Sequence, residues 1–423
     1  MDNIVVFGPG PKFKGGIANY NTSLAKALDK LDNAEIHIVS WTQQYPAIIP
    51  RDFIDRSSKS DLLEGTRIKV HYITNYNNPF SWRKTVRLIK EIGPKMVIFQ
   101  WAIAIQGLPL GAIAKRLGRI KGLEVVFDLH FVIQKEGSKI DRIFTKMGIR
   151  HAHSYVVHAY KTYHELQKLF PKKSFKLIDP GKNFEGSGTR VVKLFHPVYD
   201  MFKPDENFNI HEEKEKLGLK ENVFLFFGFI RKYKGLHDVI KAFAKVAEQR
   251  NDVSLLIVGE SFWQTLDTKK TSTRIKNALF GAAKSIFLKK QDDERNYRPL
   301  ELIDELGIKD KVTVVNTFVP NEDVHKYFQV SDVIMLYYLT ATPSGVESIG
   351  YNFRMPMVAT KVGHFPETVK DGYNGYLAEP GNIESMAEVM IKAIEKPIPR
   401  KNVAETSREM SWANYAKAIL YER

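Results

Sequence analysis

Two cations stand three residues apart where an apolar run in the second half of the chain gives way to a helical pattern. Phe226-Phe227-Gly228 leads into Arg231 and Lys234, and the helical pattern follows Gly235. Cations at such a loop can neutralise a departing diphosphate, where charge stabilisation matters most as the bond breaks. The spacing favours an anion-binding loop, and a merely solvated loop is the alternative.

A second anion-binding site is predicted later in the same half of the chain. Ser344 and Gly345 open a short helical pattern that precedes the run Met357–Thr360. The first N–H groups of a helix have no partner within the helix, and a serine there caps the start, so this position attracts phosphate. We expect it to bind the same ligand as Arg231 and Lys234.

The first half opens on a glycine-rich loop. The run Asn3–Phe7 leads through Gly8 and Gly10 to Gly15-Gly16, and a helical pattern follows. Such a turn lets backbone approach a ligand. A nicotinamide-binding fingerprint is disfavoured, because Phe13 stands where the third glycine should be and Ser40-Trp41-Thr42 offers no ribose-binding acid. A tight turn without a ligand is the alternative.

An acid and an imidazole end a further predicted strand. Val125–Asp128 is followed by Leu129 and His130, at the edge where parallel sheets bind ligands. His130 is therefore a candidate site residue, although a single histidine is more often structural.

These residues require two α/β units to position them. Short β-rich runs alternate with amphipathic segments through each half, which is typical of doubly wound parallel sheets. The polar, proline-bearing segment 198–215 suits a hinge, and 261–298 interrupts the second series as an insertion with a basic amphipathic pattern at Arg274–Lys290. The predicted strands are Asn3–Phe7, Glu35–Trp41, Arg67–Ile73, Met96–Gln100, Glu124–Asp128, Ser154–His158 and Val191–Phe195, then Val223–Phe227, Val253–Val258, Lys311–Val315, Val333–Leu336 and Met357–Thr360.

Taken together, the motifs resemble glycosyltransferase family 4, a large retaining family with the GT-B fold. The resemblance spans nearly the whole chain. It depends on Gly15-Gly16, His130, the segment His196–Asp200, Gly228 with Arg231-x-x-Lys234-Gly235, and the run from Met355-Pro356 to Gly363-His364-Phe365-Pro366-Glu367.

The resemblance implies two Rossmann-like domains facing each other across a cleft. Residues 1–200 would bind the acceptor, and 201–404 would bind a nucleoside-diphosphate sugar as donor. A C-terminal helix, 405–423, would pack back on the first domain. His130 would line the acceptor and sugar site, and the sugar would be transferred with retention at its anomeric carbon.

One departure concerns two glutamates that the family usually carries eight positions apart. Counting back from Pro356, those places hold Ala341 and Ile349, while Glu347 lies two residues from the second. Glu347, at a helix start that we expect to be exposed, is a candidate to replace one of them. Two alternatives stay open: a catalytically silent nucleotide-sugar-binding subunit, and a nucleotide-sugar epimerase.

No metal or other cofactor is expected. Cysteine is absent and no Asp-x-Asp occurs, so Arg231, Lys234 and helix N-termini would do the work of a cation. The start of the chain lacks a basic region before its short apolar run, which argues against a signal peptide. Met96–Ala114 is uncharged but interrupted by Gln100, Gln106, Gly107 and Pro109, and it predicts a buried strand, a loop and an apolar helix instead of a membrane span.

The net charge of +15 is concentrated in the first half, where 31 Lys+Arg stand against 17 Asp+Glu in residues 1–200. Basic domains usually meet phosphates or anionic lipid. We expect a cytoplasmic protein that works at the inner face of the membrane on a glycan or glycolipid acceptor. A nucleic-acid partner is not expected, because no aromatic-rich or helix-turn-helix signature occurs.

Overall fold

The computed structural model describes residues 2–31, 34–46, 53–56, 61–133, 139–179, 187–261 and 297–421. In those ranges the chain forms two parallel sheets with intervening helices, and the predicted α/β, GT-B-type class is confirmed. The amphipathic pattern Arg274–Lys290 and all but the ends of the predicted insertion lie outside the described residues.

The first sheet has eight strands in the order β3-β2-β1-β4-β5-β6-β8-β7. Its strands are β1 (Asp2–Phe7), β2 (Ala34–Gln43), β3 (Lys69–Asn75), β4 (Met96–Trp101), β5 (Glu124–Leu129), β6 (Ser154–Val157), β7 (Phe175–Ile178) and β8 (Thr189–Lys193). The associated helices are α1 (Gly16–Asp29), α2 (Pro79–Ile92), α3 (Gly107–Leu117), α4 (Lys139–Ile149) and α5 (Tyr160–Leu169).

The second sheet has six strands in the order β11-β10-β9-β12-β13-β14. They are β9 (Asn222–Phe227), β10 (Val253–Val258), β11 (Val312–Val315), β12 (Val333–Leu336), β13 (Met357–Thr360) and β14 (Gly375–Ala378). The helices are α6 (Ile210–Lys216), α7 (Leu236–Gln249), α8 (Glu301–Glu305), α9 (Val324–Gln329), α10 (Gly345–Asn352), α11 (Phe365–Thr368) and α12 (Ile383–Glu395), followed by α13 (Arg400–Glu409) and α14 (Trp412–Tyr421).

Continuous apolar runs explain why these strands are central and parallel. Every residue of β4 and of β10 is buried, with no alternation of apolar and polar positions. A parallel sheet covered by helices on both faces buries both sides of its inner strands, so it selects such runs. The ends of the strands then meet at one edge, which is where the connecting loops gather.

The twelve predicted strands all occur, within a few residues of their predicted ends. Two strands were missed, β7 and β14, and each has only four residues at an outer edge of its sheet. Lys176 in β7 is exposed and β14 begins with a glycine, so neither gives an apolar run.

The uncharged segment Met96–Ala114 forms β4, a single 3₁₀ turn and most of α3, as predicted. Within the described ranges, no helix is long and apolar enough to cross a membrane.

The segment between the sheets is tied to the second domain and to the C-terminal helices. His196 Nδ1 lies 2.7 Å from the Ser348 hydroxyl on α10. The Val198 N–H donates to the carbonyl of Met410 at 3.0 Å. Burial lowers the pKa of His196 well below its ordinary value, so its ring is neutral at physiological pH.

Asp128, at the end of β5, anchors the C-terminal helix. His158 Nε2 lies 2.7 Å from one carboxylate oxygen, and the Tyr415 hydroxyl of α14 donates to the other at 3.0 Å. All three residues are fully buried. Burial alone would raise the pKa of Asp128, but His158 and the hydrogen bonds bring it below its ordinary value.

Replacing Asp128 should therefore destabilise the fold strongly. We expect Asp128→Ala to cost about 3–5 kcal/mol, because it leaves His158 and Tyr415 without their buried partner. Tyr415→Phe, the matched control, removes one hydrogen bond and should cost about 0.5–1.5 kcal/mol. Thermal unfolding followed by circular dichroism measures both, and equal melting temperatures for the two variants would contradict the anchoring role.

Candidate functional site

A cavity of about 340 Å³ lies between the two sheets, lined by residues from both. The second domain contributes Gly228, Lys234, Tyr338, Ser344 and Gly345, among others. The first contributes Phe13, Gly15, Gly16, Asn19 and Asp55. The loops that follow β1, β9 and β12 thus meet here, at the carboxyl edges of both sheets.

Lys234 is the cation at the centre of this cavity wall. Its side chain is only 7% exposed, and Nζ donates to the carbonyl of Phe227 at 3.5 Å. Among the described residues, no carboxylate lies within ion-pair distance of it. Burial, with the nearby charge of Arg231, lowers the pKa of Lys234 to about 7. A buried cation of this kind gains most from an anion placed in the cavity.

The shape of the turn around Lys234 depends on two glycines. Gly235 has φ 65°, and a Cβ there would lie 1.9 Å from the carbonyl oxygen of Tyr337. Gly228 has φ 90°, and a Cβ there would lie 2.9 Å from Lys234 Nζ and 3.3 Å from Val346 Cγ2. Lys234 and the first turn of α10 therefore both border the space that Gly228 leaves free.

The start of α10 forms the second part of the same wall. The Ser344 hydroxyl caps the helix by accepting from the Val346 N–H at 3.3 Å, and the Tyr338 hydroxyl lies 3.4 Å from it. Gly345 packs against Tyr199, since a Cβ there would lie 2.9 Å from that ring. The structure thus brings together the two anion-binding sites that the sequence predicts, Lys234 and Ser344-Gly345.

The glycine-rich loop closes the opposite wall. Gly15, at φ 101°, begins α1, and the Tyr199 hydroxyl donates to the carbonyl of Gly16 at 3.0 Å. Gly15 and Gly16 line the cavity across from Gly345 and Lys234. Tyr199 contacts both walls and joins them.

Three of the predicted site residues do not belong to the described lining of the cavity: His130, Arg231 and Glu347. The guanidinium carbon of Arg231 lies 5.7 Å from the centre of the Tyr233 ring, and Tyr233 does line the cavity. Arg231 therefore stands behind Lys234, close enough for its charge to act on it.

The expectation that Glu347 occupies an exposed helix start is wrong. Its side chain is 3% exposed. One carboxylate oxygen is hydrogen-bonded to His364 Nε2, and the other accepts from the Thr368 hydroxyl at 2.5 Å. Glu347 points away from the cavity lining because α10 turns this position toward the loop after β13.

His364, which replaces a glycine of the family pattern, is therefore the partner of Glu347. It is 1% exposed. Gly363 before it has φ 59°, and a Cβ there would lie 2.0 Å from the carbonyl oxygen of Ala341. The two departures from the family pattern meet in one buried contact.

His130 lies on the first-domain side, beneath α1. Its Nε2 is 2.8 Å from Gln100 Oε1, and its ring meets the edge of Tyr20 with 4.6 Å between centres. Burial, with an added contribution from His158, lowers the pKa of His130 to about 4 against the opposing pull of Asp128. His130 is therefore neutral at physiological pH, and a role for it in the acceptor and sugar site stays a prediction.

Sequence reasoning missed several residues that line the cavity. Tyr338 lies two residues beyond β12, so the rule that selected His130 at the end of β5 could also have found it. Asp55 had no such signal. It reaches the cavity because its N–H donates to the carbonyl of Lys12 at 2.9 Å, which pairs a distant segment with the glycine-rich loop.

The cavity has an apolar residue where the family usually has its second glutamate. Ile349 lines the cavity, and Ala341 is fully buried. Within the described ranges, no group of three or more His, Cys, Asp or Glu side chains is placed to hold a metal ion.

Two facing Rossmann-like domains, with a cavity at the edges of both sheets, define a GT-B-type fold. Residues 207–410 match the model of the family described as glycosyl transferases group 1. The predicted resemblance to glycosyltransferases is thereby confirmed at the level of glycosyl transferases group 1.

Curated relatives match part of the chain. It is 22% identical over 246 residues to N-acetyl-alpha-D-glucosaminyl L-malate synthase of Bacillus anthracis, covering 57% of this chain and 52% of that enzyme. It is 24% identical to alpha-D-kanosaminyltransferase of Streptomyces kanamyceticus, covering 54% and 51%. The matched region thus spans about half the length of these relatives.

Solved structures match over the whole length. HepE from Anabaena, in complex with UDP and glucose, superposes with a TM-score of 0.65 at 16% identity, covering 99% of this chain and 98% of that one. The lipopolysaccharide outer core galactosyltransferase WaaB superposes with a TM-score of 0.60 at 15% identity, covering 100% of both chains. At this identity the likeness establishes the fold.

The depressed pKa of Lys234 predicts a pH-dependent affinity for a nucleoside diphosphate. The bound anion should restore the pKa of Lys234 towards its ordinary value, so binding takes up a proton above about pH 7. Affinity should be highest near pH 7 and fall up to about tenfold per pH unit as the free lysine loses its proton. Calorimetric titration of UDP, GDP or ADP between about pH 7 and 8.5 measures this.

Lys234→Met is the control for that titration. It should bind the nucleotide more weakly and without the pH dependence. An affinity of the parent protein that stays constant over this range would contradict a partly deprotonated Lys234.

The buried contacts of Glu347 predict a loss of stability when it is removed. Glu347→Ala should cost about 2–4 kcal/mol, because His364 and Thr368 both lose their buried hydrogen-bond partner. Glu379→Ala is the matched control, since Glu379 is exposed and pairs only with the exposed Lys361, and it should cost less than about 1 kcal/mol. Melting temperatures by scanning calorimetry compare the two, and an unchanged value for Glu347→Ala would show that these contacts carry no stability.

Proposed function

We propose that the protein transfers a sugar from a nucleoside-diphosphate sugar to an acceptor held on its first domain, with retention at the anomeric carbon. The observation that carries the proposal is the buried Lys234 beside the start of α10, within a cavity bordered by both domains. This arrangement suits a diphosphate, whose negative charge grows as the sugar leaves.

In this proposal, different residues of the chain bind the diphosphate and the sugar. Lys234, supported by Arg231, neutralises the β-phosphate as it becomes the leaving group, and the N–H groups at Ser344-Gly345 hold the other phosphate oxygens. The glycine-rich loop, Gly15-Gly16, brings backbone close to the transferred sugar from the opposite wall. In this proposal the reaction needs no metal ion or other cofactor.

The names of similar proteins support the donor class. The Anabaena protein is described with UDP, with glucose and with UDP-glucose, and two curated relatives are named for sugar-transfer products or activities. We propose a nucleotide sugar as donor on these grounds, and thermal-shift screening of UDP-, GDP- and ADP-sugars would identify the base, because a tighter ligand stabilises the folded state more.

We also propose that the acceptor is a lipid-linked glycan or polysaccharide precursor, used at the cytoplasmic face of the membrane. The similarity in fold to a lipopolysaccharide core galactosyltransferase and the charge of residues 1–200 support this.

A silent nucleotide-sugar-binding subunit is the second candidate, favoured by one observation. Ala341 and Ile349 replace the usual glutamates, and Ile349 lines the cavity. A turnover measurement distinguishes the two candidates. The transferase consumes the donor and releases nucleoside diphosphate, whereas the silent subunit binds the donor without consuming it. An epimerase would instead return a changed nucleotide sugar without any acceptor.

Removing either cation should impair turnover if sugar transfer is the function. We expect Arg231→Ala and Lys234→Ala each to cost about 2–4 kcal/mol of transition-state stabilisation, because Lys234→Ala removes the charge that borders the leaving diphosphate and Arg231→Ala removes the nearby charge that supports it. Release of nucleoside diphosphate, measured as kcat/KM with the donor found by screening, gives the size of the loss.

Lys232→Ala is the matched control, since Lys232 lies in the same loop, does not belong to the described lining of the cavity and, unlike Arg231, is not among the charges that lower the pKa of Lys234. Near-parental kcat/KM in both Arg231→Ala and Lys234→Ala would refute the assignment. No turnover in the parent protein, with nucleotide-sugar binding intact, would favour the silent subunit.

A further inference from the structure

The three helices α2, α3 and α4 form one outer layer of the first domain. Each belongs to a crossover that runs in the same direction across the sheet, and right-handed crossovers place such helices on one face. Their inward residues, such as Trp82 and Leu110, pack in one core, while Leu24 of α1 and Tyr415 of α14 pack in the other. The layer therefore lies on the side of the sheet opposite α1 and α14.

The exposed side of this layer is strongly basic. Exposed cations number four on α2, two on α3 and three on α4, and Glu91 is the one exposed acid on these three helices as described. Asp141, the other acid, is buried. The cations are Arg83, Lys84, Arg87, Lys90, Lys115, Arg116, Lys139, Arg142 and Lys146.

Large apolar side chains are exposed on the same helices. Phe80 is 71% exposed, Leu108 41%, Ile143 57% and Met147 37%. On α4, Ile143 and Met147 are one turn apart and follow Arg142 and Lys146 directly in sequence, so cations and apolar groups share one stripe. A basic surface that only faces water gains nothing from exposed large apolar side chains, whereas helices that lie on a membrane surface combine them with cations.

The helices of the layer are closely packed, and two of them begin at the cleft edge of the sheet. A Cβ at Gly107 of α3 would lie 2.1 Å from the Phe144 carbonyl oxygen of α4, so the two helices are in backbone contact. Helices α2 and α3 begin shortly after β3 and β4 end, at the sheet edge from which the glycine-rich loop also enters the cavity. Phe80 and Leu108 thus stand at the cleft end of the layer.

We propose that the outer face of α2, α3 and α4 docks on an anionic lipid bilayer. The cations complement anionic headgroups, and Phe80, Leu108, Ile143 and Met147 enter the boundary between headgroups and acyl chains. A second copy of the same face would bring like charges together. A nucleic acid would match the charge but would leave the aliphatic side chains without a partner.

Docking in this orientation places the mouth of the cleft beside the membrane surface. The surface itself does not depend on the proposed sugar transfer. If that function holds, a lipid-borne acceptor could reach the first domain without leaving the bilayer.

Vesicle flotation tests the surface with the full chain. Vesicles of phosphatidylcholine alone are compared with vesicles containing about 30% phosphatidylglycerol, at low and high salt. A charge variant combines Arg83→Gln, Arg142→Gln and Lys146→Gln, and an apolar variant combines Ile143→Gln and Met147→Gln. The matched control combines Lys396→Gln, Arg400→Gln and Lys401→Gln, which removes three exposed cations from the C-terminal part of the chain.

The proposal predicts binding that requires phosphatidylglycerol and weakens with salt. Since each cation near an anionic leaflet strengthens binding roughly fivefold, the charge variant should bind at least tenfold more weakly than the parent. The apolar variant should bind more weakly with an unchanged salt dependence, and the control should bind as the parent does. UDP, GDP or ADP binding should be the same in all four proteins.

Several results would overturn the proposal. Vesicle binding that does not depend on lipid charge would do so, as would charge and apolar variants that bind vesicles as the parent does. A control variant that loses as much vesicle binding as the charge variant would also contradict it. Salt-sensitive binding to a single-stranded RNA by the parent and not by the charge variant, without vesicle binding, would assign the face to nucleic acid. If the parent protein binds none of the nucleotides UDP, GDP and ADP, that result contradicts the proposed sugar transfer and does not affect the proposed docking surface.

Discussion

The organisation of the cleft depends on one buried charge. Lys234 is held out of water at the end of β9, and its hydrogen bond within the protein is a long one to the Phe227 carbonyl. The nearby charge of Arg231 disfavours the protonated form of Lys234 further. The start of α10, which is the positive end of that helix dipole, borders the same space and acts in the same direction. An anion in the cavity relieves all three effects at once. Gly228 lets the backbone pass close to Lys234, since a Cβ there would lie 2.9 Å from Lys234 Nζ.

Helix α10, whose start is the predicted phosphate-binding position, also contacts the segment between the domains. Ser344 and Gly345 begin α10, and Ser348, one turn later, meets His196. Tyr199 then joins Gly345 to the carbonyl of Gly16 on the other wall. A ligand seated at the start of α10 is therefore linked through short contacts to the relative position of the two domains, and Asp128 fixes the C-terminal helix that completes this junction.

Much of the fold could be predicted because its signals are local. Continuous apolar runs identify the inner strands, and Gly-rich turns mark the loops that follow β1 and β9. Short edge strands such as β7 give no such run. At the site, Lys234 and Ser344-Gly345 could be predicted because each lies directly before a helical pattern, so neighbouring residues in the sequence are enough to identify it. The burial of Glu347 could not be predicted, because it depends on His364 and Thr368, which lie in the loop and the short helix α11 beyond the next strand. Asp55 enters the cavity for an equally long-range reason, its pairing with the glycine-rich loop.

A crystal structure of the protein with UDP, GDP or ADP bound would test the central claim most directly. The account predicts that the diphosphate lies in the cavity between the two sheets, with Lys234 Nζ within hydrogen-bond distance of a β-phosphate oxygen and the N–H groups at the start of α10 facing the same phosphate. A diphosphate bound elsewhere, with Lys234 still donating to the Phe227 carbonyl, would contradict it.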